Sequence, residues 1–340
     1  MHISVIICTY NGAKRLSATL EHLANQVVNP KINWEIILVD NNSTDHTFET
    51  SIETWNQFGC AVQFRPFKQP EPGKQRALEL AYQEARGEFM CIVDDDNWLN
   101  SDYLQLGYEL LVSEPAVGIL GGRTVGAFEA TPPSWFPQFQ DAYAVGEPLN
   151  YSTVPPSPFT KGEVSDGGLW GAGLFVRRSI WQRLQALQFK SLFVGRIGEK
   201  QLTAAEDDEL CYAARLLGYK IWYDPALVLT HFMAAGRLNE AYLKKIMYSP
   251  AYAQCRLLAY QRALTDPTGK YATLLPWAKD LVYMTKRLLM VGLSPSFWRT
   301  VRRGDKRQIL ATGRQALTWL QFLKEFTKAP GYYRQIIAIR

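Results

Sequence analysis

The sequence predicts an α/β protein in which a mostly parallel central sheet is flanked by helices and followed by a helical C-terminal extension. Short apolar runs alternate with segments of helical periodicity at intervals of roughly 25 to 30 residues, which is typical of βαβ units. Several apolar runs stop abruptly at polar residues, as Met90–Val93 stops at Asp94. From about Glu240 onward the apolar residues keep a helical spacing.

Four strands and three helices are predicted in the first hundred residues. Asn11 and Gly12 form a strong turn signal after the first strand, and Ser43 or Thr44 can cap the second helix. The strands are Ile3–Cys8, Trp34–Val39, Ala61–Phe64 and Met90–Val93. The first helix starts near Leu16, the second ends at about Phe58, and the third runs from about Lys74 to Ala85. These elements form one nucleotide-binding half, residues 1–100.

The second half of the α/β region, residues 101–235, is less regular. Thr131–Pro158 contains seven prolines and no clear period, so we expect an irregular loop that is either a lid or an acceptor-side wall. Further strands are predicted at Gly118–Val125, Leu174–Val176, Lys220–Tyr223 and Leu227–Leu229, the last two broken by Pro225, with helices at Ser179–Leu187 and from Glu206 to Gly218.

Composition and charge describe a globular chain with a basic tail. Of 340 residues, 47% are hydrophobic, which allows a substantial core. Five scattered cysteines without a CxxC pair argue against a disulfide framework and a structural zinc site, so we expect a cytoplasmic protein. No signal peptide and no spanning helix are predicted. Arg299–Arg340 carries a net charge of +8, which leaves −3 for the rest of a chain whose net charge is +5.

Three consecutive carboxylates, Asp94, Asp95 and Asp96, follow the fourth strand. Ligands of open α/β sheets bind at the carboxyl ends of the strands, and acids held this close together need a compensating cation. Mg²⁺ and Mn²⁺ take carboxylate and phosphate oxygens as ligands. The alternative is an acidic surface turn that caps the helix near Tyr103.

Taken together, the motifs resemble those of the family 2 glycosyltransferases with the GT-A fold, a Rossmann-like architecture. The resemblance covers roughly residues 3–233 and rests on order and spacing as well as on the motifs. They are Ile7–Gly12, Val39–Asp45, Arg86–Glu88, Asp94–Asp96 and Glu206–Asp207. It implies a glycosyltransferase domain at residues 1–235 and a helical, basic extension at 236–340. Trp170–Arg178 and Trp222–Pro225 are also similar to a cyanobacterial branch linked to hormogonium polysaccharide.

The resemblance implies a nucleotide site and a metal site. The loop after the first strand would hold the base, with Asp40 accepting a hydrogen bond from it, and cations at a helix start would bind the diphosphate. The nucleotide residues would be Thr9, Tyr10, Asn11, Asp40, Asn42, Lys74, Arg76, Asp94 and Asp95. Asp96 of the DXD motif and His231 would bind Mn²⁺ or Mg²⁺. A helix cap at Asp40, a solvated Lys74 and a structural His231 are the alternatives.

The resemblance also implies the chemistry. Asp207 would deprotonate the acceptor hydroxyl in an inverting transfer, at a helix start that favours the ionised form. Glu206, Asp208 and Glu209 are its rivals, because four acids in a row can be merely an acidic helix start. Trp170 would stack on a sugar ring, with Asp208 beside the acceptor, although a core Trp in a Gly-rich turn is as plausible.

The predicted function is transfer of one sugar from a nucleotide-diphosphate donor, with UDP favoured, to a hydroxyl of a polysaccharide or lipid-linked glycan. The processive signature Gln-x-x-Arg-Trp is absent. The alternatives are a nucleotidyltransferase and a nucleotide-sugar-binding protein without turnover, whereas a dehydrogenase is disfavoured because no GxGxxG follows the first strand. No nucleic acid is expected as a partner.

The basic C-terminal helices suggest a further partner. Trp277, Tyr283, Trp298 and Trp319 lie among Lys and Arg residues, which suits an anionic membrane surface and a peripheral location at the inner face of the membrane. A solvated helical face or a dimer contact explains the same pattern.

Overall fold

The computed structural model describes residues 1–150, 156–193, 205–266 and 268–340. It contains a central mixed sheet with helices on both faces and a C-terminal set of helices. The strands are β1 Ile3–Thr9, β2 Trp34–Asp40, β3 Gln63–Lys68, β4 Phe89–Asp94, β5 Asn97–Leu99, β6 Val117–Phe128, β7 Leu149–Asn150, β8 Ser157–Pro158, β9 Gly162–Glu163, β10 Leu174–Arg177 and β11 Lys220–Met233. The predicted α/β class with a helical C-terminal region is confirmed.

The helices surround the sheet and then form a separate cluster after β11. They are α1 Leu16–Ala24, α2 Thr47–Phe58, α3 Lys74–Glu84, α4 Tyr103–Ser113, α5 Arg178–Ala186, α6 Glu206–Leu216, α7 Glu240–Tyr248, α8 Gln254–Thr265, α9 Leu274–Leu293, α10 Pro295–Arg302, α11 Lys306–Glu325 and α12 Ala329–Ile337. None of the helices in the described ranges is both long and apolar enough to cross a membrane.

The main sheet has the order β3-β2-β1-β4-β10-β6-β11-β5, with β9 paired to β11. β1 to β4 are mutually parallel, as are β6 and β11, whereas β10, β5 and β9 run antiparallel to their neighbours. Buried side chains on the two faces form two large apolar clusters. The near-continuous apolar runs of β1, β2 and β4 are therefore explained by burial on both faces.

Two strand predictions were wrong in their extent. The third strand is Gln63–Lys68 rather than Ala61–Phe64, and it lies at the edge of the sheet, where Pro66 is tolerated because one side of an edge strand needs no ladder hydrogen bond. The two short strands around Pro225 are one strand, β11, whose register shifts between Tyr223 and Val228. A proline is accommodated at such an irregularity without ending the strand.

The predicted cap of α2 was also wrong. Ser43 and Thr44 contact the first loop instead, since Ser43 Oγ accepts a hydrogen bond from Asn11 N at 2.9 Å and Thr44 N donates to Asn11 Oδ1 at 2.8 Å. Asp45 Oδ1 accepts from Thr47 N at 3.1 Å at the start of the helix. The turn after β2 is therefore bonded to the turn after β1.

The Pro-rich segment is irregular, as predicted, and its described part packs into an apolar cluster, while its role as a lid or an acceptor-side wall stays a prediction. Its described part contains short 3₁₀ turns at Phe136–Gln138 and Gln140–Tyr143, whose aromatic residues join an apolar cluster with Met233 and Leu310. Residues 151–155 of this segment lie outside the described residues.

The C-terminal helices share a core with the α/β region. Tyr260, Trp277 and Phe322 are buried in the same cluster as Cys211 and Tyr212 of α6. The predicted interfacial role of Trp277 was wrong, because this side chain has no exposed surface and its Nε1 donates to Tyr271 O at 2.8 Å. The division at residues 235 and 236 stays a prediction.

Candidate active site

The carboxyl ends of β1, β2 and β4 lie side by side and place their polar residues at one edge of the sheet. Thr9 is in register with Asp40, and Cys8 with Asp94. A large cavity of about 1900 Å³ opens at this edge. This is where ligands bind in open α/β sheets, so the edge is the candidate site.

Asp94 and Asp95 are each paired with a cation. Lys74 Nζ lies 2.6 Å from Asp94 Oδ1. Arg15 contacts both oxygens of Asp95, with Nε 3.1 Å from Oδ1 and an η nitrogen 2.9 Å from Oδ2, while Thr9 Oγ1 donates to Oδ2 at 2.6 Å. Burial raises the pKa of Asp95, and Arg15 and Thr9 act against this effect. The bidentate pair fixes the carboxylate in one orientation.

Asp96 is buried and faces two groups from a distant part of the chain. Its Oδ2 lies 3.0 Å from an η nitrogen of Arg237 and 3.7 Å from His231 Nε2. β5 brings them together, because Asn97, next to Asp96, is in register with His231 on β11. Burial alone would raise the pKa of Asp96, but His231, Arg237 and Arg15 outweigh it and hold this pKa well below its usual range.

The donor atoms of Asp96 and His231 suit a divalent cation. A carboxylate oxygen and an imidazole nitrogen converge on one side of the cavity, and Mn²⁺ accepts both kinds of ligand. Within the described residues no group of three or more His, Cys, Asp or Glu side chains forms a complete metal cluster. The remaining ligands would come from the substrate diphosphate and water, which is common for Mg²⁺. Arg237 lies on the same oxygen and would have to share it.

Helix α6 begins with four acids, of which Glu206, Asp207 and Asp208 line the same cavity. Asp207 Oδ2 accepts a hydrogen bond from Gly171 N at 2.9 Å. A Cβ on Gly171 would come within 2.5 Å of that oxygen, and one on Gly168 would collide with the carboxylate of Asp208. The two glycines therefore let the loop before β10 approach the acids closely.

Burial dominates the protonation of the acids around Asp207. Burial raises the pKa of Glu206, and repulsion from Asp207 raises it further. Burial and the same repulsion from Asp207 raise the pKa of Asp208 to about 7. Glu209 points the other way, into the C-terminal helices, where its carboxylate accepts hydrogen bonds from Tyr260 Oη at 2.7 Å and from Leu192 N at 2.8 Å. Burial raises the pKa of Glu209 to about 7 as well.

Most of the predicted site residues line this one cavity. Tyr10 is exposed, and Asn11 and Asn42 have positive φ of 48° and 60°, a conformation that Asn tolerates. The predicted residues in the lining are Thr9, Tyr10, Asn11, Asn42, Lys74, Asp94, Asp95, Asp96, Trp170, Glu206, Asp207, Asp208 and His231.

Two predicted residues lie outside the lining. Asp40 is buried at the end of β2, where its Oδ1 accepts from Ser43 N at 3.2 Å. Arg76 is exposed on α3 and pairs with Glu71. Asp40 therefore orders the loop in this structure, and Arg76 would have to leave its partner to reach a diphosphate.

Sequence reasoning missed the two arginines of the site. Arg15 follows the Asn11–Gly12 turn by three residues, and a cation directly after the first strand is a signal that was available. Arg237 lies six residues after His231 in an irregular turn, where no local pattern marks it. The close approach of Gly168 and Gly171 to α6 was also missed.

Comparison with known proteins finds a family model that matches just under half of the chain. The family model "Glycosyl transferase family 2" matches residues 4–168. The poly(ribitol-phosphate) beta-N-acetylglucosaminyltransferase TarS of Staphylococcus aureus is 35% identical over 105 residues, covering 31% of this chain and 18% of TarS. The probable glycosyltransferase YdaM of Bacillus subtilis is 27% identical over 244 residues, 66% of this chain and 49% of YdaM. The chain thus matches less than half the length of either relative.

Solved structures share the fold. The mannosyltransferase PcManGT of Pyrobaculum calidifontis, solved in complex with GDP-Man and Mn²⁺, has a TM-score of 0.55 at 18% identity, covering 96% of this chain and 87% of that chain. S. aureus TarS 1–349 in complex with UDP-GlcNAc has a TM-score of 0.50 at 17% identity, covering 98% and 92%. At this level of identity the similarity supports the fold alone.

Proposed function

We propose that the chain is an inverting, metal-dependent glycosyltransferase, because residues 4–168 match the glycosyl transferase family 2 model. It would move a single sugar from a nucleotide-diphosphate-sugar to a hydroxyl of a polysaccharide or lipid-linked glycan. The observation that carries this proposal is the meeting of two acid groups in one cavity, namely the cation-paired Asp94–Asp96 and the start of α6 with Asp207 held by Gly171.

The donor would bind along the sheet edge. Tyr10, Asn11 and Asn42 offer an exposed ring and amides for the nucleoside, and Lys74 lies beside Asp94 to meet the diphosphate. Asp96 and His231 would hold Mn²⁺ or Mg²⁺, which would offset the charge that develops on the leaving diphosphate. We propose UDP-sugars as the first donors to test, and the narrower similarity to a cyanobacterial branch stays a prediction.

Asp207 would act on the acceptor. Its carboxylate would take the proton of the acceptor hydroxyl while the oxygen bonds to the anomeric carbon and the carbon–phosphate-oxygen bond breaks on the opposite face. The hydrogen bond from Gly171 N fixes the direction of the Asp207 carboxylate. Glu206 and Asp208 lie beside Asp207 and, with raised pKa values, would keep protons near it. Trp170 lines the same space and would support a sugar ring.

Nucleotide binding tests the donor site first. UDP, GDP and dTDP are added to the purified protein with and without Mn²⁺, and the melting temperature is measured. A ligand that binds the native state stabilises it by mass action, about 2.7 kcal/mol at a hundred times its Kd. We expect one nucleotide to raise the melting temperature only with the metal, and Asp96→Asn to remove that rise.

The control for this experiment is Asp102→Asn, which changes an exposed acid just before α4 and should leave the rise intact. If no nucleotide raises the melting temperature, the donor-site proposal is wrong. A rise without sugar transfer, when the matching nucleotide-sugar is given to a glycan acceptor, would favour a binding protein without turnover. An inverted anomeric configuration in the product, followed by NMR, tests the stereochemistry.

A membrane surface is proposed as a further partner because the outer face of α9 is apolar. Leu275, Val282, Leu289 and Leu293 recur at intervals of seven and four residues, so they share one face, and all four are exposed. Lys279 and Lys286 lie on the same face. In α10, Trp298 is half exposed among Arg299, Arg302 and Arg303, a combination that favours anionic lipid headgroups.

Vesicle flotation tests this partner. We expect the protein to float with vesicles that contain phosphatidylglycerol and not with pure phosphatidylcholine, and we expect Leu289→Asp to abolish flotation. The matched control is Val112→Asp, which changes a similarly exposed apolar residue on α4. Equal flotation of both variants, or none for the unmodified protein, would rule the surface out.

A further inference from the structure

The cavity is too large for a nucleotide-sugar alone. Ligand sites of drug-sized molecules occupy roughly 300–1,000 Å³, whereas this cavity has about 1900 Å³. Its far part is walled by the C-terminal helices, which contribute side chains from α7, α8, α9 and α11. We call this part the far lobe, and the charged residues of its wall are Lys245, Arg262, Asp280, Arg287, Arg307 and Arg314.

The wall of the far lobe consists of side chains that share a face of their helix. On α11, Arg307, Arg314 and Thr318 are separated by seven and four residues and therefore share a face. Tyr283 and Arg287 of α9 do the same. Trp319 Nε1 donates to Thr285 Oγ1 at 2.8 Å, which ties α11 to α9. The arginines thus lie on packed helices rather than on a loop, with the Arg287 side chain exposed and the Arg314 side chain half-buried.

The charge of this wall is positive. From α7 onward, the described lining residues include five cations and one acid, Asp280. Arg262 is neutralised by Asp280 at 2.6 Å, and Arg307 by Asp141 at 2.9 Å. Among the described residues Arg287 and Arg314 have no ion-pair partner. A cavity of this size with two uncompensated guanidinium groups in its wall favours an anionic ligand.

We propose that the far lobe binds an anionic acceptor glycan, one that carries phosphate or carboxylate groups, and that Arg287 and Arg314 contact those groups. This inference rests on the proposed function, since it assigns the donor to the sheet edge. There Lys74 would meet the diphosphate, and the far arginines are left for a second molecule. Guanidinium groups pair well with both phosphate and carboxylate oxygens.

Short oligomers of known charge test the far lobe. The full-length protein is titrated with a glycerol-phosphate hexamer, an oligogalacturonate hexamer and uncharged maltohexaose, and the Kd is measured by thermophoresis. We expect at least one anionic oligomer to bind at least tenfold more tightly than maltohexaose, and the phosphate and carboxylate arms identify the preferred group. Raising the salt to 0.5 M should weaken that binding, because exposed charges are screened.

Variants locate the binding. Arg287→Gln combined with Arg314→Gln should weaken the anionic oligomer about tenfold or more, whereas Arg303→Gln, an exposed arginine after α10, should change it less than twofold. Arg314→Lys keeps the charge and should retain most of the binding, which separates lost charge from lost folding. Equal binding of charged and neutral oligomers, or an equal loss in Arg303→Gln, would overturn the proposal.

Nucleotide binding distinguishes this failure from failure of the proposed function. If the nucleotide diphosphate still raises the melting temperature of the arginine variants, the donor site is intact and any change belongs to the far lobe. If nucleotides bind normally and no anionic oligomer is preferred, the far-lobe inference alone is wrong. If no nucleotide binds, the proposed function fails first.

Discussion

Two runs of acids face the same cavity and have different partners. The first, Asp94–Asp96 after β4, is paired with Lys74, Arg15 and Arg237. In the second, Glu206–Glu209 at the start of α6, three of the acids accept hydrogen bonds from backbone N–H groups, and Glu209 also accepts one from a tyrosine hydroxyl. The pKa of Asp96 is lowered, while that of Asp208 is raised to about 7.

This contrast shows that the partners of an acid, more than its residue type, decide its chemistry. A carboxylate held ionised by cations attracts a metal ion or exchanges its cation with a diphosphate. Buried carboxyls beside another acid, such as Glu206 and Asp208, have raised pKa values and can hold a proton near Asp207. We therefore propose the cation-paired run for the donor and the run on α6 for the base.

Asp207→Asn is the strongest test of that division. It removes the proposed base and keeps the shape, so we expect kcat to fall about 10²–10⁴-fold while the nucleotide still raises the melting temperature. Asp102→Asn should retain full activity. Near-normal turnover in Asp207→Asn would remove the distinction between the two runs.

Gly171→Ala sharpens the same point without touching an acid. The added Cβ would come within 2.5 Å of Asp207 Oδ2 and push the carboxylate aside, and a misplacement of about 1 Å costs on the order of 10²-fold in rate. We expect kcat to fall to that extent with little change in nucleotide binding. Gly292→Ala in α9 meets no atom within 4 Å and should be neutral. An unchanged rate in Gly171→Ala would mean that the position of Asp207 is unimportant.

Arg15→Gln removes the cation that pairs with Asp95 in the first run of acids. Asp95 is buried and would lose a bidentate partner, so we expect the free energy of unfolding to fall by about 1–3 kcal/mol, less than for a fully buried pair because Arg15 is about a third exposed. Lys68→Gln breaks the exposed pair with Glu49 and should change the free energy of unfolding less than Arg15→Gln does. Equal losses in urea unfolding would show that Asp95 does not depend on Arg15.

Asp208 gives the smallest effect, and it depends on pH. Its pKa is raised from about 3.8 to about 7 in the folded state, so the folded state binds more protons than the unfolded state between these values. The contribution of Asp208 to the free energy of unfolding is fully present below about pH 4 and is lost as the pH rises through about 7. We expect Asp208→Asn to lose less stability than the unmodified protein between pH 5 and 8. Parallel pH profiles of the two proteins would contradict a raised pKa.

The features that were predicted correctly from the sequence depend on residues close together in the chain. The apolar runs that end at Thr9, Asp40 and Asp94 predicted the sheet edge, and the acids at Glu206 predicted the start of α6. Elements whose extent depends on neighbours were misjudged, such as the edge strand β3 and the bulged strand β11. Trp277, predicted at an interface, is buried because the helices fold back onto α6.

The cations of the site were harder to find because they reach the acids through space. Arg15 contacts Asp95, which is 80 residues away in the sequence. Arg237 contacts Asp96, which is 141 residues away. Arg237 follows strand β11, and no local sequence pattern predicts that β11 pairs with β5. Their positions depend on the assembled sheet.

The pairing of Asn97 with His231 also sets a time order for folding. A chain emerging during synthesis contains Asp96 long before β11 exists, so Asp96 gains His231 and Arg237 only when the last strand of the sheet adds beside β6. Contacts that close long loops form late. A ribosome-bound chain that ends before residue 220 should therefore lack metal-dependent nucleotide capture even if β1–β4 have formed, and the site would mature only once the sheet is complete.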